Sequence, residues 1–395
     1  MSNSTQSIVI VSAARTAIGG MQGVLSSVTA PNLASFAIKE AVSRANIDCD
    51  DVEEVVMGCV LAGGLGQAPA RQAALGAGLS LAANCTTINK MCGSGMKAVM
   101  FAHDQLKAGS ASVMVAGGME NMSQSPYLLP KVRTGLRMGH GQVLDSMFYD
   151  GLENAYDGKL MGVFAQQTAD DYGFSRKAMD DFAIRSLTRA QKAIEEQRFE
   201  SEIAPVTIKS RKGDTVVSQD EQPFAANIEK IPHLRAAFKK DGTVTAANSS
   251  SISDGAAALV MMTESEAKAR NLTPIARIVG HSSHAQEPAE FTIAPVSALQ
   301  KLLKKIAWNS EDVDLYEINE AFAVVTMIAM QELNLDAQKV NINGGACALG
   351  HPIGCSGARI LVSLIYALQN QGKSKGVASL CIGGGEATAV AIELI

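Results

Sequence analysis

The sequence predicts an α/β fold made of two copies of one layered domain, with an insertion in the first copy. Three observations predict it. Short apolar runs of strand character alternate with helical stretches. Segments of the first third recur, in order, in the last third. A charge-rich stretch near 122–251 interrupts the first copy. At 395 residues the chain is too long for one simple core, so two or three domains are expected.

The repeated elements follow in chain order. Ile8–Ser12 reads as the first strand and has a partner in Ile275–Val279. Val52–Val56 pairs with Val313–Glu317. Cys92-Gly93-Ser94-Gly95, before a helix carrying Met96, Val99, Met100 and Leu106, recurs as Cys355-Ser356-Gly357 before a helix expected over Ala358–Leu368. Val113–Glu120 recurs as Ala378–Glu386, and the closing strands are Gly255–Met262 and Ala387–Leu394. The offsets cluster at roughly 265 residues, the mark of internal self-similarity. The division expected is 1–121 plus 252–273 for the first domain, 122–251 for the insertion and 274–395 for the second domain. The insertion includes a helix over Ser175–Gln197 and is of the kind that covers a substrate.

Composition excludes several function classes. Hydrophobic residues make up 47% and charged residues 18%, and the net charge is −5. That balance describes a well-buried enzyme and argues against a nucleic-acid partner. The seven cysteines have no C-x-x-C pair, so neither a disulfide framework nor a zinc site is suggested. Reduced thiols fit a cytoplasmic compartment. Met1–Ser7 lacks the charged and apolar parts of a leader, and no apolar run is long enough to span a bilayer.

Cys92 is the most telling residue. A β-leaning stretch, Cys85–Ile88, runs into it, and a helix with Gly109 as its stop signal follows it. A thiol at a strand-to-helix turn is favoured as thiolate by the unpaired amides of the helix start. The glycines beside it allow a substrate carbonyl to approach the backbone. A lone cysteine would read as structural; the glycine-flanked turn points to a nucleophile. His351, between glycines and before Pro352, is placed to take a proton or to hydrogen-bond an oxyanion. Cys381 ends a strand and enters Gly383-Gly384-Gly385, whose bare amides suit an oxyanion. That glycine run lacks the Lys-Ser/Thr ending of a triphosphate loop. Asn319, at the end of the strand near 314–318, is placed to hold a water.

These segments resemble the thiolase family, and specifically its biosynthetic branch. The matching stretches are Asn89–Gly95, Asn319–Ala323, Gly344–Gly354 and Cys381–Gly385, in the family's order and across essentially the whole chain. The resemblance implies two five-stranded α/β domains in an αβαβα layering, with an inserted loop domain that binds coenzyme A and makes tetramer contacts. It implies an acyltransferase of lipid and fatty-acid metabolism that joins two acetyl-CoA into acetoacetyl-CoA and CoA by ping-pong Claisen condensation, or runs the reverse thiolysis. No metal or organic cofactor is implied, since the CoA thioesters are substrates.

The resemblance also implies roles. Cys92 is the nucleophile, His351 its base, and Cys381 the acid/base at the α-carbon. Asn319 holds a water that forms one oxyanion hole with His351, and the amides of Cys92 and Gly383 form the other. Ser250 resembles the pantetheine-contacting serine. Leu152, Met161, Phe238, Ala246, Ala321 and Phe322 resemble tunnel positions. Leu160 stands where the family usually has a histidine, and Phe224 where an arginine is common, which bears on CoA affinity and acyl preference. A homotetramer is implied, with no nucleic acid or membrane. The alternatives are a 3-ketoacyl-CoA thiolase of broader or longer chain range and a non-catalytic CoA-binding homologue.

Overall fold

The computed structural model describes residues 6–395; Met1–Thr5, part of the stretch read for a leader, lie outside them. Nine principal strands form one continuous mixed sheet. They are β1 (Ile8–Thr16), β2 (Glu54–Gly58), β3 (Asn84–Ile88), β4 (Val113–Asn121), β5 (Ser253–Thr263), β6 (Ala276–Ala285), β7 (Leu315–Ile318), β8 (Lys375–Ile382) and β9 (Glu386–Leu394). Their spatial order is β7-β8-β9-β6-β1-β5-β4-β2-β3. The halves join where β1 and β6 pair antiparallel, Val9 opposite Arg277 and Ile10 opposite Ala276.

The strand order carries the sequence repeat. Reading outward from the junction, β1-β5-β4-β2-β3 is answered by β6-β9-β8-β7. The second half lacks a full fifth strand, contrary to expectation. Its place is held by one isolated parallel bridge from Tyr316 to Val340. Asn341 follows and bonds both backbone groups of Ile318, its Oδ1 accepting from the amide and its Nδ2 donating to the carbonyl, each at 2.8 Å.

The strands are apolar on both faces because helices cover both. The principal helices are α1 (Ala30–Ala45), α2 (Pro69–Gly76), α3 (Ser94–Ala108), α4 (Met161–Asp171), α5 (Arg176–Glu195), α6 (Ala294–Ile306), α7 (Ala323–Glu332), α8 (Ala346–Leu349) and α9 (Ile353–Gln371). Along β1, Val9 and Val11 pack toward α1, while Ile8 and Ile10 pack toward α3 and α9. On β9, Ala387, Ala389 and Ala391 face α6, and Val390 and Ile392 face the α3–α9 layer. The period of two along a strand thus sends alternate side chains into different cores. The result is an αβαβα layering with α3 and α9 in the middle.

Glycines set the spacing of that middle layer. A Cβ on Gly95 of α3 would stand 2.8 Å from the Ala358 amide nitrogen, and one on Gly357 of α9 would stand 2.4 Å from the Met96 nitrogen. α9 starts at Ile353, five residues earlier than expected. The Pro352 carbonyl accepts from the amides of Cys355 and Ser356, both at 2.9 Å, so the helix forms directly after the proline.

The segment between β4 and β5 carries α4 and α5. Ser175 caps α5, its hydroxyl accepting from the Ala178 amide. Arg15, buried on β1, ties this segment down by a two-pronged pair with Asp220 at 2.7 and 2.9 Å and by a contact to Glu202. Phe164, Phe182 and Val244 pack with Phe291, Phe322 and Cys381, closing the insertion over the carboxyl ends of β7 and β8. Among the described residues, no helix is long and apolar enough to cross a membrane.

Candidate active site

A cavity of about 350 Å³ opens beneath the insertion. Its floor comes from three turns that the packing brings together. The first is Lys90–Gly93, between β3 and α3. Met91 adopts φ +46°, a left-handed conformation that a side-chain-bearing residue rarely holds. Ser94 fixes this turn by accepting from the Lys90 amide at 2.8 Å and donating to the Met91 carbonyl at 2.7 Å. Cys92 is thereby turned into the cavity.

The second turn follows α8 and carries His351, which is buried. Its Nδ1 lies 2.6 Å from Ser356 Oγ, and the Ser356 hydroxyl donates to the Pro352 carbonyl at 2.9 Å. The third turn, Gly383–Gly385, joins β8 to β9, and both Cys381 and Gly383 line the cavity. The backbone amides of Gly383 and of Cys92 itself both favour negative charge on the Cys92 sulfur.

Electrostatics keep this cluster neutral at rest. Burial pushes the Cys92 thiol up to about 11, outweighing the two amides that favour the thiolate. The amides at this turn do favour the thiolate, as expected, but desolvation outweighs them. Burial also raises the Cys381 thiol well above its ordinary range, and the neighbouring Cys92 adds to this. Burial, then the Arg359 charge, lowers His351 to about 3. Two thiols and a neutral imidazole share an apolar chamber.

Asn319 is not on the cavity wall. It is buried behind His351, with Nδ2 3.5 Å from each ring nitrogen. Its neighbour Glu320 accepts from Ser186 of α5 at 2.6 Å, Asn341 at 2.8 Å and the Cys347 amide at 3.1 Å. The Asn319-Glu320 pair therefore splits its work: one backs His351, and the other clamps insertion, strand and α8 turn together.

Of the residues matched to a CoA tunnel, Ser250, Leu152, Met161, Phe238, Ala321 and Phe322 all line the cavity. Ala246 does not. It lines a neighbouring cavity of about 270 Å³ with Ser251 and Cys347, because the chain from 246 to 251 walls both spaces. Leu160 is on the wall of the main cavity, while Phe224 is exposed on the outer surface.

Sequence reasoning missed three supports. Ser356 holds the His351 ring. Arg359, buried, donates to Asn319 Oδ1 at 3.4 Å. Glu120, buried, accepts from the amides of Val60, Leu61 and Gly354 at 2.8–3.1 Å and so holds a loop against the start of α9. Only Ser356 left a trace in the sequence, as a hydroxyl one helical turn beyond Pro352.

Two family models cover nearly all of the chain: "Thiolase, N-terminal domain" over residues 8–265 and "Thiolase, C-terminal domain" over residues 272–394. The chain belongs to the thiolase family. Among curated members it is 51% identical to an acetyl-CoA acetyltransferase of Escherichia coli K12, covering 98% of each chain. It is 47% identical to one of Saccharomyces cerevisiae, covering 99% of this chain and 100% of the other. A crystal structure of the Bacillus anthracis acetyl-CoA acetyltransferase superposes with a TM-score of 0.97 at 44% identity over the whole of both chains. A solved structure of the acetyl-CoA acetyltransferase from Syntrophomonas wolfei gives 0.96 at 40% identity over 98% of this chain and 99% of that one. These thiolases share the fold that frames the cavity.

Proposed function

We propose that this chain is an acetyl-CoA C-acetyltransferase that forms acetoacetyl-CoA and CoA from two acetyl-CoA, and runs the reverse thiolysis. One observation carries the reading: Cys92, Cys381, His351 and the Gly383 amide converge in a single apolar chamber. Relatives named for this activity, nearly co-extensive with the chain, support it.

The proton positions give the sequence of steps. Ser356 keeps the proton on His351 Nδ1, leaving Nε2 bare. Nε2 takes the Cys92 proton as the sulfur attacks the acetyl carbonyl. The oxygen of that adduct, one bond from the attacked carbon, meets the backbone amides that favour negative charge here, those of Cys92 and Gly383. Collapse breaks the carbon–sulfur bond to CoA, and the departing thiolate takes the proton that burial holds on Cys381. Free CoA leaves acetyl-Cys92 and a Cys381 thiolate. That thiolate removes the α-proton of the second acetyl-CoA. The charge on the enolate oxygen falls to His351, now protonated, with Asn319 behind it. The new carbon–carbon bond forms at the acetyl-Cys92 carbonyl, Cys92 leaves, and His351 returns its proton. No step calls for a metal or organic cofactor.

Ser250, Leu152, Met161, Phe238, Ala321 and Phe322 would hold the pantetheine arm, and Ala246 the segment beyond it. We read the assembly as a homotetramer. Tyr127, Leu129, Val132, Leu136, Met138 and Val143 in the insertion are exposed apolar side chains, which supports a partner there. The seven free cysteines support a reducing, cytoplasmic setting, and a thioester-condensing activity would fit lipid metabolism. One observation favours a second reading: Leu160 makes the wall more apolar where the family usually has a histidine, which suits a longer acyl chain.

The test is intact-protein mass spectrometry after brief exposure to acetyl-CoA. Wild type gains one acetyl group, and Cys92→Ala gains none. A folded wild type without the adduct would overturn the transferase mechanism. Turnover across a series of 3-ketoacyl-CoA chain lengths separates the two substrate ranges.

A further inference from the structure

Three metal-ligating side chains meet far from the cavity, where the two halves of the sheet touch across the middle layer. His103 and Asp104 lie on the C-terminal part of α3, and His281 lies on β6. His103 Nδ1 is 2.9 Å from Asp104 Oδ1, His281 Nε2 is 3.0 Å from the same oxygen, and the two ring nitrogens are 3.2 Å apart. The rings stand edge to face, 85° apart, with centroids separated by 4.9 Å. Among the described residues this is the one group of three such ligands whose donor atoms converge within 4.8 Å.

The triangle has the dimensions of a metal's face. Imidazole nitrogens and a carboxylate oxygen bind zinc at about 2.0–2.2 Å. Three donors spaced 2.9–3.2 Å apart admit such an ion roughly 1 Å to one side of their plane. The arrangement is awkward as a plain hydrogen-bond group. One carboxylate oxygen faces both imidazoles, and the two ring nitrogens stand 3.2 Å apart, so three polar atoms compete for the few protons between them. A cation satisfies all three donors at once. The imidazole side chains are only 10% and 13% exposed, so they are held in place, while the 57% exposed Asp104 leaves an entry path. Two cations stand nearby, Lys107 and Lys305. The Lys305 ammonium donates to the His281 carbonyl at 3.0 Å.

We propose that His103, Asp104 and His281 bind one divalent transition-metal ion of the zinc class, as a clip between α3 and β6. Two imidazoles and one carboxylate select such an ion over magnesium or calcium, which prefer all-oxygen sites. The clip braces the helix that follows the nucleophile turn, roughly 15 Å along α3 from its start. It takes no part in the acyl transfer. The sequence spacing showed no metal motif because His103 and His281 are 178 residues apart, and no local pattern joins them.

The test uses full-length protein stripped with a chelator, as wild type and as His103→Gln/His281→Gln, both in a Cys92→Ser background so that the catalytic thiol does not compete. Cobalt(II) and then zinc are titrated by absorption and calorimetry. The parent is expected to bind about one ion per chain at micromolar Kd or tighter, without a thiolate-to-cobalt charge-transfer band, and with a raised Tm. The double variant is expected to bind at least roughly a hundredfold more weakly and to show no metal-dependent Tm. With Cys92 restored, metal-free thiolysis is unchanged by the two glutamines. Equal binding by parent and variant, a thiolate band that survives in the variant, or only millimolar binding by the parent would each overturn the site.

Discussion

His351 Nδ1 donates to Ser356 Oγ at 2.6 Å, because the Ser356 hydroxyl proton is already committed to the Pro352 carbonyl at 2.9 Å. This pairing fixes the tautomer. The ring presents a bare Nε2 to the cavity, the form that can accept the Cys92 proton. A Ser356→Ala change removes the acceptor and lets the ring adopt either tautomer. General-base catalysis of this kind is worth roughly 10²–10⁴-fold, and losing only its tautomer control is expected to cost the lower part of that range in kcat. KM for acetyl-CoA should change little, since Ser356 is behind the ring and off the cavity wall. Steady-state kinetics check this, and Ser356→Thr should restore most of the rate. A fall confined to KM would show that Ser356 does not act through the imidazole.

The neutral resting state makes its own prediction about pH. With the Cys92 thiol pushed up to about 11 and His351 lowered to about 3, a thiolate–imidazolium pair is not the ground state near neutrality. Alkylation of Cys92 by a small iodoacetamide should accelerate about tenfold per pH unit from 7 to 10, tracking the thiolate fraction. A plateau below pH 8 would reveal the ion pair and refute the neutral ground state. The same groups bear on stability. The Cys92 contribution is present below the ordinary thiol range and is lost as pH rises through about 11. The His351 contribution is present above the ordinary imidazole pKa and is lost as pH falls toward 3.

Arg359 connects the site to the core. It lies 3.8 Å from Glu317 as an ion pair and 3.4 Å from Asn319 Oδ1 as a donor, with all three side chains buried. Its Nε and Nη1 have no hydrogen-bond partner. Burial drives Glu317 up to about 8, and Arg359 opposes that rise. Arg359→Leu should cost about 3–5 kcal/mol by stranding the carboxyl, while Arg359→Leu/Glu317→Leu should recover most of it. The Glu317 carboxyl, raised above its unfolded value, favours the fold at low pH and loses that contribution as pH rises through about 8. The single variant's deficit should therefore widen on the alkaline side. Urea unfolding measures both effects. The double variant should fold yet keep a reduced kcat, because Asn319 has lost its anchor; full activity would show that Asn319 is positioned without Arg359.

Much of this was legible in the sequence, and the reasons differ by element. β1 and β5 announced themselves because both faces of each strand are apolar, and the repeat exposed their equivalents β6 and β9. Cys92, His351 and Cys381 were visible because glycines flank each, and glycine marks backbone that must turn sharply or approach closely. The start of α9 was misplaced because Cys355-Ser356-Gly357 was aligned to the turn at Cys92, whereas Pro352 begins the helix before them. Arg359, Glu120 and Glu317 left no local signal. A buried charge is recognised by its partners, and those partners are brought together only by the fold. Ala246 was matched to the tunnel by resemblance alone, yet the chain between it and Ser250 crosses from one cavity to the other.

The close crossing of α3 and α9 gives the last prediction. A methyl group at residue 95 would stand 2.8 Å from the Ala358 nitrogen, 3.0 Å from the Cys355 carbonyl oxygen and 3.1 Å from the Ala358 methyl. None of these atoms is the end of a flexible side chain, so the helices must part. Gly95→Ala is expected to destabilise the protein by about 1–3 kcal/mol through overpacking, despite the better helix propensity of alanine. The displacement matters beyond stability, because α3 starts two residues after Cys92 and α9 starts two residues after His351. Parting the helices separates nucleophile from base, so kcat should fall more steeply than Tm alone would suggest. Activity measured well below the Tm of the variant, together with its rate of acetyl-Cys92 formation, tests this. An unaltered acetylation rate in a destabilised variant would show that the crossing supports the core without setting the distance between the two catalytic turns.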